Sequence, residues 1–417
     1  MGDNHDGNES GIATTTEVAE GLLAPATASD LIRANSLALL RGNRSRVLCG
    51  PEALVKVNTS IGCNRPADWD LELRKLDQLA NCGYGPDIMM DLSTVRLARP
   101  LYAEIRELTG APVGTLPHYT AFKPRDGLDK SRLLEEIERH ATEGVAWVTL
   151  HLAVTSELYE LARRTRRTPT TARGGGIAIR DMLINNRSES LLAELFPEIL
   201  RILKRFGTAL SLGTTFRPAN TLDALDAAHK TELRLQRRFI DESQAQGVPV
   251  MLEAVGHMRL SDVPIFTNLV RSGIGHSGPV VTLGPIPTDA SVGEDHIANA
   301  IGSSVLALAG GTDVINSITR EEHTGSVPDL ESILEGLRAA RIAAHAVNIS
   351  KFPQLDSAAE DSVVDARNKN YTCVVDGGLF SKSATTRHAM GCTRCGNECP
   401  LVVNFVIDRE RGRDRLV

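Results

Sequence analysis

Trp147-Val-Thr-Leu-His151 is a short apolar run that ends on an imidazole, and seven other stretches repeat its form: Leu54–Asn58, Ile88–Leu92, Pro112–Leu116, Ala209–Gly213, Val248–Glu253, Val280–Gly284 and Asp313–Ser317. A polar or glycine-containing turn and an amphipathic stretch follow each. Apolar continuity, in place of strict alternation, marks strands buried on both faces, and strands that alternate with helices build a parallel sheet. Eight such units between Leu54 and Ser317 predict an α/β fold, a closed (β/α)8 TIM-like barrel. The competing open sheet would place Gly-x-Gly-x-x-Gly after its first strand, and no such motif follows Leu54–Asn58. Two assignments stay open: Thr171–Gly176 as a further strand, and Val280–Gly284 as a side element.

Helices are expected where apolar residues recur every three or four positions: Asp68–Asn81, Leu101–Thr109, Ser131–Glu143, Ser188–Phe206, Ala224–Gln246 and Ser332–Ser350. Residues 1–30 are acidic and poor in apolar periodicity, and read as a disordered tail. The barrel with its lead-in occupies 31–350. From 351 to 417 the sequence turns polar and weakly periodic and ends in a cysteine cluster, a C-terminal extension apart from the barrel wall.

The chain of 417 residues is 42% hydrophobic, enough for a large core, and carries 46 Lys and Arg against 52 Asp and Glu. That balance supplies no basic field for a phosphate backbone, so nucleic acid is not the expected partner. The most apolar stretch, Ser304–Ile315, is short and broken by Gly310, Gly311 and Asp313, so no membrane span is expected. The first residues lack the basic and apolar regions of a secretory signal, and the expected location is cytoplasmic.

Barrel chemistry concentrates where strands end. Those positions hold Asn58, Asp91, Ser93, His118, Tyr119, His151, Arg173, Arg217, Glu253, His257 and, beyond the last run, His323. Arg173-Gly174-Gly175-Gly176 joins a guanidinium to bare backbone N–H groups, which suits a phosphate as well as it suits a flexible turn. His257 and His323, with Glu253, are a candidate zinc or iron site; hydrogen-bonded structural histidines are the plainer alternative.

Cys392-Thr-Arg-Cys395-Gly-Asn-Glu-Cys399-Pro400 gathers three of the seven cysteines. Three thiolates at this spacing can hold a structural zinc with His388 or Cys373 as fourth ligand, or an iron–sulfur cubane with one iron open. An ordinary electron-transfer cluster, with four cysteines, is a third reading.

Taken together, several segments resemble the phosphomethylpyrimidine synthase family of radical S-adenosylmethionine enzymes. They are Lys56-Val-Asn-Thr-Ser-Ile-Gly62, Met90-Asp-Leu-Ser-Thr94, Pro112–Pro117 with Tyr119, Thr149-Leu-His151, Arg173-Gly-Gly175, Ser211-Leu-Gly213 with Arg217-Pro218, Glu253 with Gly256-His257, Thr282–Pro285 with Asp295-His-Ile297, and Glu322-His323. The resemblance implies that Asn58, Met90, Tyr119, His151, Arg173, Gly174, Arg217 and Glu253 line a substrate pocket. It implies that His257 and His323 bind a divalent metal, zinc or iron, and that Cys392, Cys395 and Cys399 hold a 4Fe-4S cluster. It further implies S-adenosylmethionine as cosubstrate, a one-electron donor such as flavodoxin or ferredoxin, a homodimer, and a lyase reaction on 5-aminoimidazole ribotide in thiamine biosynthesis.

The chain also departs from the family's pattern. The second cysteine gap has three residues where the family has four. Thr214 stands where the family has aspartate, Val281 where it has tyrosine, and Ala172 and Gly176 where it has serines. A changed set of pocket hydrogen bonds points to a paralogue with an altered substrate or product, as in the 5-hydroxybenzimidazole-forming branch; a non-catalytic zinc-binding paralogue is the alternative from another class.

Overall fold

The computed structural model describes residues 11–353, 355, 358–370, 379–380, 395 and 398–411. Two antiparallel strands, β1 (Ala38–Arg41) and β2 (Arg46–Cys49), precede eight parallel ones. These are β3 (Lys56–Ile61), β4 (Ile88–Asp91), β5 (Val113–Thr115), β6 (Trp147–Leu150), β7 (Ala209–Leu212), β8 (Val250–His257), β9 (Val280–Ile286) and β10 (Val314–Asn316). They close into a barrel in chain order, because Ile315 pairs with Val57 on one side and with Thr282 on the other. The fold is a (β/α)8 TIM-like barrel. Val280–Gly284 is therefore wall and not a side element.

Every residue of β4, β6, β7 and β8 is buried, since helices cover the outside and side chains fill the inside. Helices Trp69–Asn81, Leu101–Leu108, Lys130–Thr142, Ala227–Gln246 and Leu330–Lys351 lie within a few residues of the expected ones. Local chemistry sets their ends. Asp129 and Asp226 accept from the backbone N–H of Arg132 and His229, capping their helices, and Gly207 and Gly247 end others at φ 66° and 74°. Leu133, Ile137, Leu200, Leu203, Phe239 and Ile240 share one core with the strands, where truncating a single leucine costs about 2–5 kcal/mol.

Three sequence expectations fail. The stretch Ser188–Phe206 is not one helix but two, Leu191–Glu194 and Phe196–Phe206, with Pro197 opening the second. Thr171–Gly176 is not a strand, because Arg173-Gly174-Gly175-Gly176 forms the first turn of a helix, Arg173–Ile184.

The third concerns the start of the chain. Residues 1–10 lie outside the described residues, but 11–30 are not disordered: they form helices Thr16–Ala19 and Pro25–Arg33. Ile12 and Ala28 pack with Leu37, Leu48 and Ala53. Buried Glu17 takes hydrogen bonds from the Lys56 ammonium and the Leu54 N–H at the foot of β3. Apolar contacts and one buried ion pair offset the entropy of ordering a segment whose acidic composition suggested a tail.

The chain divides into two units, Met1–Lys351 and Phe352–Val417. Within the second, helices Ala358–Asn370 and Pro400–Glu410 are described. No helix among the described residues is long and apolar enough to cross a membrane.

Candidate active site

The carboxyl ends of the strands surround a cavity of about 550 Å³. Its lining includes Asn58, Met90, Tyr119, His151, Arg173, Gly174, Arg217 and Glu253, the eight pocket residues expected from sequence. Parallel strands with a common tilt aim alternate side chains at one interior space, so residues far apart in sequence meet there.

The floor is apolar: Met90, Tyr119, Trp147 and Val281 line it and pack with Met251 and Val314 in one cluster. Beside it, Asn58 donates from Nδ2 to Asn316 Oδ1, and Asn316 in turn donates to the Thr282 carbonyl at 2.7 Å. Asn58 Oδ1 is buried and has no partner among the described residues. An orphaned acceptor on a cavity wall suits a ligand that brings an N–H or O–H donor.

Glu253 on β8 is held by two hydroxyls: its Oε1 accepts from Thr149 Oγ1 at 2.8 Å and from Ser211 Oγ at 3.3 Å. Burial raises its carboxyl above the ordinary value; Thr149, Arg217 and Ser211 oppose that shift. On β6, buried Thr149 pairs with Ser211 of β7, which puts both hydroxyls in one layer of the lumen. Sequence reading missed both, although a hydroxyl inside an apolar strand run is a signal that something buried must satisfy it.

His151 Nδ1 and Thr215 Oγ1 lie 3.0 Å apart. Burial, then the neighbouring His118 and Arg217, hold His151 well below the usual imidazole range. The His118 ring is 5.7 Å away, is fully buried, and has no partner for either nitrogen among the described residues; burial pushes it down to about 3. Gly174 lets the helix Arg173–Ile184 approach both rings, because a Cβ there would sit 2.5 Å from His151 Nε2 and 2.8 Å from His118 Nε2. Burial pushes the nearby Tyr119 phenol up to about 12. Arg173 lies 5.9 Å from the Tyr119 ring and donates to Asn64 Oδ1 at 3.0 Å.

The segment Thr214-Thr215-Phe216-Arg217 is fixed from behind by Glu232, which accepts from the N–H groups of Thr215 and Phe216 at 2.6 Å each. Burial pushes Glu232 up to about 8. Thr214 Oγ1 donates to the Glu253 carbonyl and accepts from Gln236 Nε2 at 3.1 Å, so this hydroxyl serves the backbone.

His257 and His323 come together as expected, 66 residues apart in sequence and 3.1 Å apart between their Nε2 atoms. The far nitrogen of each ring meets a carboxylate: His257 Nδ1 lies 2.7 Å from Asp289 Oδ1, and His323 Nδ1 lies 2.9 Å from Asp295 Oδ1. A carboxylate on Nδ1 fixes the tautomer that presents the Nε2 lone pair, as metal-bound histidines require. Zinc–nitrogen bonds of about 2.0–2.1 Å place two ligand nitrogens little more than 3 Å apart, so the pair fits one shared cation. Glu253, weighed from sequence as a companion ligand, is engaged by Thr149 and Ser211 instead. No group of three His, Cys, Asp or Glu side chains among the described residues forms a ligand cluster. A β-bulge between Val255 and His257, with φ 92° at Val255 and 99° at Gly256, interrupts β8 directly before His257.

In the second unit, Cys399 is buried at the N-cap position of the helix Pro400–Glu410, while Cys395 is exposed. Both are free thiols. Cys392 lies outside the described residues.

The family model described as "Radical SAM ThiC family" matches residues 15–404. The phosphomethylpyrimidine synthase of Ignicoccus hospitalis is 34% identical over 392 residues, covering 89% of this chain and 87% of its own. Those of Methanopyrus kandleri and Thermotoga petrophila are each 32% identical, covering 84% and 86% of this chain and 84% and 87% of their own. The chain belongs to the Radical SAM ThiC family.

Proposed function

We propose that the chain is a carbon–carbon lyase that rearranges 5-aminoimidazole ribotide, or a close analogue, as in formation of the thiamine pyrimidine. The observation that carries this reading is the convergence of Asn58, Met90, Tyr119, His151, Arg173, Gly174, Arg217 and Glu253 on one cavity. A phosphate suits the N-terminus of the helix Arg173–Ile184, where the macrodipole and the Arg173 guanidinium favour an anion. The apolar floor accommodates a flat ring, and Asn58 Oδ1 meets its exocyclic donor.

A 4Fe-4S cluster held by Cys392, Cys395 and Cys399 would supply, with S-adenosylmethionine, the one-electron cleavage that starts radical chemistry. His257 and His323 would hold a divalent cation. Barrel walls around the cavity limit the water that would quench a radical. Glu253, its carboxyl raised above the ordinary value by burial, is placed to take or give a proton at ligand oxygen or nitrogen. A flavodoxin- or ferredoxin-like donor, a homodimer and a cytoplasmic location complete the reading.

One observation favours a second reading, a different substrate or product. With Thr214 turned to the backbone and Val281 in the floor, neither position offers the carboxylate or phenol that the resemblance would place there.

Anaerobic reconstitution, metal analysis, and incubation with S-adenosylmethionine, reductant and the ribotide test both. Iron, sulfide, 5′-deoxyadenosine and the thiamine pyrimidine are expected. 5′-Deoxyadenosine without that pyrimidine would favour the second reading. Zinc in place of iron, with no 5′-deoxyadenosine, would overturn the radical assignment and leave a non-catalytic zinc protein.

A further inference from the structure

Lys75 is 3% exposed, lines the cavity, and lies on the inner side of the helix Trp69–Asn81. It has no part in the proposed reaction. Its ammonium donates to Glu72 Oε1 at 2.7 Å, one turn back on the same helix. Glu72 Oε2 accepts from the Gly62 N–H at 3.0 Å, just beyond the end of β3. Two residues further along that loop, Asn64 receives Arg173. The loop is thus fastened at one point to the Lys75–Glu72 pair and at another to the guanidinium at the helix N-terminus.

An ammonium has three N–H donors, and among the described residues Glu72 is its one hydrogen-bond partner. Burying such a pair is costly, and an apolar pair of similar volume commonly serves stability as well or better. A structural task alone, holding the Gly62 N–H, requires an acceptor and no lysine. Helical side chains lean toward the helix N-terminus, which in this fold lies at the barrel mouth. An anionic ligand that completed the donor set would offset the cost of burial.

We propose that Lys75 is a ligand-binding residue whose ammonium, oriented by Glu72, offers its remaining N–H donors to an anionic oxygen of the molecule in the cavity. The shared chemistry is that of a phosphate or a carboxylate. The proposed function supplies two sources, the 5′-phosphate of a ribotide and the amino-acid carboxylate of S-adenosylmethionine, and the inference rests on that reading for these identities.

Calorimetric titration of the reconstituted full chain separates them. Wild type, K75M and K75R are titrated with aminoimidazole ribotide, its dephosphorylated riboside, S-adenosylmethionine, its decarboxylated form, and inorganic phosphate. The E72Q/K75M double variant, which leaves no unpaired buried charge, guards against a simple folding defect, and circular dichroism checks each protein. Loss of about tenfold to a hundredfold in ribotide affinity in K75M, with riboside affinity unchanged and partial recovery in K75R, identifies the phosphate. The same pattern with S-adenosylmethionine and its decarboxylated form identifies the carboxylate.

If wild type binds neither organic ligand, the proposed function falls, and the inorganic phosphate arm still decides on Lys75: weaker binding in K75M supports it. Equal affinity of wild type, K75M and E72Q/K75M for every anion, or equal loss for ligands with and without the anionic group, overturns the inference.

Discussion

A carboxylate in a barrel lumen acts through its protonation state, and at Glu253 burial favours the neutral form while Thr149, Arg217 and Ser211 favour the ionised one. Thr149→Val keeps the shape of the strand but removes the shorter of the two hydrogen bonds to Oε1, leaving Ser211 at 3.3 Å. Losing a donor to a buried carboxylate costs about 1–3 kcal/mol. Under the proposed function, T149V should lower kcat/KM by roughly tenfold or more, and should move the pH profile of kcat upward as Glu253 becomes harder to ionise. Steady-state kinetics from pH 6 to 9 check this. An unchanged profile would mean that Glu253 ionisation does not limit turnover.

Histidines give a second prediction at the residue scale. Burial holds His118, His140 and His229 near 3, His276 near 4, and His151 well below the ordinary value. As pH falls below about 6.5 the unfolded chain takes up protons that the folded protein refuses, so their contribution is full above that pH and is lost on the way down to about 3. Raised carboxyls at Asp91, Glu232 and Glu253 act in the opposite sense, but five imidazoles outnumber three carboxyls. Tm should therefore fall between pH 6.5 and 5. His229 stacks on Phe266 and has no partner for either ring nitrogen among the described residues, so H229F should flatten that fall by about 1.4 kcal/mol per pH unit, read by calorimetry.

At the scale of elements, the strand that matters most is β8. It delivers Glu253 inward and, after its bulge, carries His257 to meet His323 from the loop that follows β10. A cation shared by these rings would staple β8 to that loop. Chelation with dipicolinate should lower Tm by several degrees, and H257A should remove both the bound metal and the sensitivity to chelator. Elemental analysis alongside scanning calorimetry checks the pair. An H257A protein that still binds stoichiometric metal would place the cation elsewhere.

Elements also show what was legible beforehand. Wall strands such as Trp147–Leu150 were readable because burial on both faces writes an uninterrupted apolar run. Their polar ends were readable because a barrel concentrates function there, and the family resemblance supplied the roles. Helix Arg173–Ile184 was not, because three consecutive glycines argue against helix by propensity; close approach explains Gly174, against His151 and His118, and Gly175, against Thr215, while nothing in the structure explains Gly176. Supporting groups such as Glu232, Asp289 and Ser211 escaped because they act through other residues, at separations that no local spacing encodes.

For the whole molecule, the N-terminal segment packs at the foot of the barrel, opposite the cavity. Glu17 answers the buried Lys56 ammonium, and the first helices share a small core with β1 and β2. This turns a practical choice into a structural one. Anyone designing an expression clone would be tempted to trim the acidic leader, and a start at residue 31 would strand Lys56 without its carboxylate and bare Leu37 and Leu48. Breaking one side of a buried pair costs about 3–5 kcal/mol, a sizeable fraction of what holds a domain folded. Such a clone should yield aggregated protein, whereas one beginning at residue 11 should stay in the supernatant after centrifugation. A purification handle belongs ahead of Gly11, with a spacer that leaves the segment free to dock.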